Sequence, residues 1–369
     1  MSTQTTLQSK QIRKARRAHR LRKNRKIKNR ISTYTPLSRP PLDYNLILSP
    51  SLLAPPQCLL QSLSPSILAL PPPVKIRFQY FWKLFRSDSN HFLSLFDYYV
   101  SRRYPGCQPE MIYQIVPRDY PNPDVVIHSF LGQPASRALW NPSLPPECKT
   151  VFYTGENCTL DPSSNLNLTF DNTYTHGNIR YPHWLWKFSP PFSQLANLRL
   201  KDDPHKSGFC CFVYSNNRAK NRNDFCHALS RYQRVDCGGK CLNNVGGPVS
   251  DKIAFQKRYK FCIAFENNPR EGYVTEKILE AYQSNCIPIY YGSRTITDDF
   301  NPETFINAHN FENTQKLVDY IKRVDTNPDL YRSYLDKPVF SQQWLKRFND
   351  PSQSFFQSVA HQILTLSGT

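Results

Sequence analysis

The sequence predicts an α/β protein of two doubly wound parallel-sheet units facing one another across a cleft, behind a basic and Pro-rich leader expected to be poorly ordered. Three observations predict it. From Val74 onward short apolar runs alternate with stretches of helical spacing, the pattern that builds a parallel sheet flanked by helices. The alternation breaks once, at residues 188–208 (FSPPFSQLANLRLKDDPHKSG), and then restarts. The chain has 369 residues, enough for two full cores.

The leader comes first. Residues 1–30 carry twelve Lys or Arg and no Asp or Glu, so of the net charge of +19 only +7 (35 basic against 28 acidic residues) belongs to the rest of the chain. Such a block is ordinarily a solvated, self-repelling arm; an anionic membrane surface is the partner it suits best. No aromatic residue interleaves the basic ones, so base stacking, and with it a specific nucleic-acid partner, is not expected. In the greasy segment that follows, Pro50, Pro55, Pro56 and Pro65 interrupt every apolar run. It therefore reads as irregular chain rather than as a membrane span, which needs about 20 apolar residues in a row, or as a secretory signal.

In the first unit VKIRFQYF is strand-like. HFLSLFDYYVSRRY sets Phe92, Leu95, Phe96 and Tyr99 on one helical stripe. DVVIHSF and KTVFYTG are short apolar runs bounded by Pro, Asn and Gly, as buried parallel strands are. In the second unit FCCFVYS, YKFCIAF and CIPIYYG read as strands, NRNDFCHALSRY and VTEKILEAYQS as helices, and FINAHNF and TQKLVDYIKRV continue the pattern. Of eleven Cys only Cys210–Cys211 and Cys237/Cys241 are closely spaced. A zinc site would want a second such pair, so buried free thiols are expected, with Cys262 and Cys286 in the core and one local disulfide as the alternative. Two glycosylation patterns occur, at Asn157 and Asn167.

FCIAFENNPREGYVTEKILEAYQSNCIPIYYG, from Phe261 to Gly292, is one strand–loop–helix–strand unit with a knot of charge in its loop. Ligands of open α/β sheets bind outside the carboxyl ends of strands, and a helix N-terminus attracts phosphate. Lys277 stands in the first turn, where the helix dipole alone prefers an anion; a bound pyrophosphate would account for it, with Glu276 accepting from two ribose hydroxyls. The spacing fits an ordinary helix with a solvated Glu–Lys pair equally well. There is no Gly-rich phosphate loop.

FENNPREGYVTEKILEAYQSNCIPIYYGS, followed by DDFNPETFINAHNF, closely resembles the bacterial type of α-1,3-fucosyltransferase in glycosyltransferase family 10. The resemblance is strong from Phe209 to Phe311, weaker but collinear from Val74 to Gly208, and absent over residues 1–73. It implies two Rossmann-like domains in the GT-B arrangement, an acceptor domain over 74–195 and a GDP-fucose-binding domain over 208–350, standing between the leader over 1–73 and a C-terminal helix over 351–369. Carried over, Asn267 and Tyr273 line the donor pocket, Glu276 holds the ribose, Lys277 a phosphate, and Arg222 of YSNNRAKNRNDF reaches the pyrophosphate, a task its planar fork suits. Without the resemblance Arg222 reads as a surface arginine, like Arg218 and Lys220. YTGEN resembles the motif whose Glu is the proposed general base, here Glu156. The implied reaction is inverting transfer of fucose from GDP-β-L-fucose to an acceptor oligosaccharide, at O3 of N-acetylglucosamine. Another GDP-sugar donor, or a tethered binding protein without activity, are the alternatives. No Asp-x-Asp occurs, so no essential metal is expected, a divalent ion at most stimulating product release. Replacing Lys277 is expected to weaken GDP-fucose binding and spare the fold. A glycan at Asn157 would crowd Glu156, which with the lack of a clear signal or span favours the cytoplasm, at most peripheral at a membrane.

Overall fold

Strand β1 (Val74–Gln79) starts directly after the triple proline, which can lead into a strand but not continue a helix. The fold is a computed structural model that describes residues 70–82, 85–129, 144–172 and 175–368. The basic and Pro-rich leader up to residue 69, and with it the membrane-facing expectation for residues 1–30, lies outside the described residues. Helix α1 (His91–Arg103) follows. The Asn90 side chain caps it by accepting from the Phe92 and Leu93 N–H groups, and its predicted stripe of Phe92, Leu95, Phe96 and Tyr99 is buried. Strands β2 (Tyr113–Ile115), β3 (Val125–His128), β4 (Lys149–Tyr153), β5 (Leu166–Thr169) and β6 (Asn178–Arg180) complete a six-stranded sheet of order β2-β1-β3-β4-β5-β6. All its pairings are parallel, with Ile76 opposite Val125 and Val151 opposite Leu166.

The second sheet begins with β7 (Gly208–Phe212). Helix α2 (Lys220–Ser230), β8 (Val235–Cys237), the short α3 (Lys252–Gln256), β9 (Tyr259–Phe265), α4 (Glu276–Gln283), β10 (Ile287–Tyr291) and β11 (Ile306–Asn307) follow. Its order is β11-β10-β9-β7-β8, again all parallel. FINAHNF thus contributes only two paired residues, because the chain turns into a short 3-10 helix at Ala308–Asn310. In both sheets the strand order reverses beside the first strand, between β1 and β3 and between β7 and β9. Such a switch point leaves a crevice at the strand carboxyl ends.

The chain ends with α5 (Thr314–Thr326), α6 (Pro328–Arg332), α7 (Gln342–Asn349) and α8 (Ser354–Thr365). The last of these returns to the first sheet's side. Phe356 stacks on Phe192 at 3.8 Å between ring centres, and the Tyr99 hydroxyl lies 2.8 Å from His361 Nδ1. This is why residues 188–208 are more than a connection: residues 192–197 form a 3-10 helix whose Phe192, Leu195 and Ala196 are buried. The two sheets are also tied directly. Arg180 of β6 donates through both Nη atoms to Asp299, each at 2.7 Å, and the Trp344 indole donates to the same carboxylate at 2.9 Å.

The described cysteines are free thiols, Cys262 and Cys286 being core as expected. Trp82 is half-buried, edge-on to Trp186 at 5.3 Å in an aromatic cluster with Phe81 and Phe85. Asn167 is fully buried and exchanges hydrogen bonds with the Asp161 backbone, so its glycosylation pattern is sealed in the fold. No helix among the described residues is long and apolar enough to cross a membrane.

Candidate active site

A cleft of about 290 Å³ opens at the carboxyl ends of strands from both sheets. Gly155, Glu156 and His183 line it from the first half. Tyr214 and Asn216 after β7, Arg222 of α2, Lys252 of α3, Asn267 after β9, and Tyr273, Thr275, Glu276 and Lys277 at the start of α4 line it from the second. All six residues singled out in the sequence, Glu156, Arg222, Asn267, Tyr273, Glu276 and Lys277, are brought to this one cavity.

The surface reading of Arg222 is overturned. Arg222 is 1% exposed, whereas Arg218 and Lys220 are exposed. Its Nη1 donates to Asn267 Oδ1 at 2.8 Å and its Nη2 to the Asn216 carbonyl at 2.7 Å, while its guanidinium lies 3.7 Å from the centre of the Tyr214 ring. Neither hydrogen-bond acceptor is charged, and Nε has no partner. A buried cation held by neutral groups alone is costly unless an anion arrives. Burial draws the guanidinium below its ordinary value, yet an arginine remains charged near neutral pH. Asn267 therefore positions Arg222 as well as lining the cleft.

At α4 the roles divide. Glu266, fully buried, accepts from the Thr275 N–H at 2.8 Å, from the Thr275 hydroxyl at 2.8 Å, and from Lys277 Nζ at 3.1 Å. Thr275 is the N-cap residue, but its hydroxyl serves Glu266 instead of capping the helix. Lys277 Nζ also donates to Thr275 Oγ1 at 2.7 Å and to Glu276 Oε1 at 3.4 Å. Burial alone would lower the Lys277 ammonium; Glu266 and Glu276 more than reverse this and leave it above its ordinary value. The expectation that Lys277 can be removed without cost to the fold is thereby corrected, since it neutralises a carboxylate with no access to water. Burial would raise Glu276, but Lys277, His183 and its own backbone N–H bring it down to about 2, so it is a carboxylate at any physiological pH.

On the facing wall Glu156 follows β4 through Thr154 and Gly155. Its N–H donates to Thr154 Oγ1 at 3.1 Å, and its carbonyl accepts from the Cys158 N–H at 2.7 Å. The side chain meets solvent in the cleft, yet protein crowds it enough that desolvation pushes its carboxyl above the ordinary value against the pull of Lys277. Gly155 is required by close approach: a Cβ there would lie 2.1 Å from His183 Nδ1. His183 is held by the Tyr153 hydroxyl at 2.8 Å, and burial lowers its pKa. Gly155→Val should therefore displace the Glu156 loop and slow any step that Glu156 serves about 10²-fold, as misplacement by an ångström does. An unchanged rate would show that the loop can yield.

The loop after β9 reaches across. Arg270 Nη1 donates to Asn157 Oδ1 at 3.3 Å, its guanidinium lies 5.0 Å from the Phe170 ring centre, and Tyr273 sets its ring edge-on to Phe170. His183, Lys252 and the Arg270 contact were not read from the sequence: His183 and Lys252 lie in no recognisable motif, and Arg270, although inside FENNPREGYVTEK, meets a partner 113 residues away. Among the described residues no group of three or more His, Cys, Asp or Glu is placed to hold a metal ion.

Two parallel α/β halves, each giving one wall to a polar cleft at the strand carboxyl ends, make the GT-B arrangement of glycosyltransferases. The comparisons carry this to a family. Residues 203–356 match the family model of glycosyltransferase family 10 (fucosyltransferase), C-terminal region. The chain is 32% identical over 308 residues to an α-(1,3)-fucosyltransferase of Helicobacter pylori, over 72% of this chain. It spans 60% of the length of that relative. Among solved structures it is similar to a crystal structure of an α1,3-fucosyltransferase, with a TM-score of 0.64, 28% identity, and coverage of 82% of this chain and 93% of the other. It is also similar to one with GDP-fucose, with a TM-score of 0.58, 28% identity, and coverage of 81% and 94%.

Proposed function

We propose that the protein is an inverting fucosyltransferase that moves L-fucose from GDP-β-L-fucose to a hydroxyl of an acceptor glycan, at O3 of N-acetylglucosamine. One observation carries the reading. A buried guanidinium whose hydrogen-bond acceptors are both neutral, Arg222, and a carboxylate that the surrounding protein holds above its ordinary pKa, Glu156, stand on opposite walls of one cleft, as a diphosphate donor and an acceptor hydroxyl require. Glu156 takes the proton of the acceptor hydroxyl as its oxygen forms a bond to C1 of fucose and the C1–O bond to the diphosphate breaks. GDP leaves with that electron pair, met by Arg222 and the start of α4, where Lys277 sits. Glu276 accepts from the ribose hydroxyls, and Asn267 and Tyr273 complete the donor wall. Similarity to a fucosyltransferase structure with GDP-fucose supports the donor. The cytoplasm, with at most a peripheral membrane contact, fits the buried Asn167 and the place of Asn157 beside the base.

A donor panel tests the reading. GDP-fucose should support transfer to N-acetyllactosamine, and GDP-mannose should not; transfer from GDP-mannose alone would reassign the donor. Arg222, Lys277 and Lys252 line the cleft, and with these cations to meet the departing charge, turnover in excess EDTA should stay within about two- to threefold of that without it. Complete loss restored by manganese would overturn this charge assignment.

A further inference from the structure

We propose that Lys252 is a further cation for the donor diphosphate, one that no motif marks; the assignment rests on the donor reading above. The motif lysine is heavily engaged. Lys277 already meets Glu266, Glu276 and the Thr275 hydroxyl, so two carboxylates outweigh it and, with Arg222, the donor wall is only neutral. An incoming diphosphate needs more positive charge than that. Lys252 supplies it. Its Nζ lies 2.6 Å from Glu280 Oε2, and the other oxygen of Glu280 lies 3.0 Å from Lys187 Nζ. One carboxylate thus serves two ammonium groups, and the trio leaves a surplus positive charge on the cleft wall that Lys252 lines.

The geometry sets this charge against the same ring as Arg222. The Tyr214 ring is pinned, its hydroxyl donating to the Ile263 carbonyl at 2.8 Å and accepting from the Phe265 N–H at 2.9 Å. Both cations gather on it, the Arg222 guanidinium 3.7 Å and Lys252 Nζ 5.8 Å from its centre. Lys252 is 31% exposed in its side chain, so it is open to a ligand in the cleft that it lines. Because Lys187 belongs to the first half and Glu280 to α4, the same trio joins the walls of the cleft.

The test is calorimetric titration of the full-length chain with GDP and with guanosine. Lys252→Met should weaken GDP about tenfold to hundredfold, the size of a hydrogen bond between charged groups, and leave guanosine within twofold. Lys252→Arg should recover most of the loss. GDP affinity within twofold of wild type in Lys252→Met would overturn the assignment. So would an equal loss for GDP and guanosine, which would mark a structural residue. A wild-type chain that binds no GDP would overturn the donor reading itself, and this assignment with it.

Discussion

Glu156→Gln is expected to lower single-turnover fucosyl transfer by roughly 10²–10⁴-fold, the usual contribution of a positioned base, while GDP binds as before. The amide keeps the shape and one acceptor oxygen but takes no proton near neutral pH. The two functions separate because Glu156 stands after β4 in the first sheet, and the cations stand on α2, α3 and α4 around the second. Burial raises the Glu156 carboxyl above its ordinary 4.5. The wild-type rate should therefore climb with pH through that raised value as the carboxylate forms, and Glu156→Gln should abolish the climb. A variant within a few-fold of wild type would remove Glu156 from the chemistry. Joint loss of GDP binding and transfer would make it a structural residue.

Lys277→Met should cost about 3–5 kcal/mol of stability as well as GDP affinity, because it leaves the buried Glu266 carboxylate unpaired. Denaturant unfolding beside GDP titration measures both. The pH dependence has a definite sign. The folded-state pKa of Lys277 lies above its ordinary 10.5, so the stability it brings is fully present below 10.5 and is lost only as pH rises through the higher folded value. Glu276, lowered to about 2 from 4.5, contributes in the opposite sense: its stability is present above 4.5 and lost as pH falls toward 2. A double variant, Lys277→Met with Glu266→Gln, should recover part of the stability but not the affinity. A single variant as stable as wild type would contradict the buried-pair account.

Most strands that could be read ahead are apolar on both faces, VKIRFQ with Lys75, Arg77 and Gln79 on one face being an exception. YKFCIAF and CIPIYYG lie in the middle of the second sheet and look it. β5 and β6 escape because their buried polar side chains find partners only in the fold: Thr169 donates to Asn178 Oδ1 at 2.8 Å, and Asn167 is bonded to the Asp161 backbone. Their composition is that of a loop, and only the fold reveals the difference. The contacts that join the halves are equally silent. Arg180 and Asp299 are 119 residues apart, and nothing in the sequence couples Lys187 to Glu280 and Lys252. At the site, VTEK showed where α4 would start, and the helix begins at Glu276. What the motif could not show is that the preceding Glu266 consumes much of the Lys277 charge, since that depends on how deeply the loop is buried.

The most direct measurement is the structure of the product formed from GDP-fucose and N-acetyllactosamine, read by nuclear magnetic resonance for anomeric configuration and linkage. The account predicts an α-fucoside, inverted from the β-linked donor, on O3 of N-acetylglucosamine. A β-fucoside would contradict direct displacement with Glu156 as the base, and hydrolysis of the donor without any transfer would contradict the assignment of the protein as a fucosyltransferase.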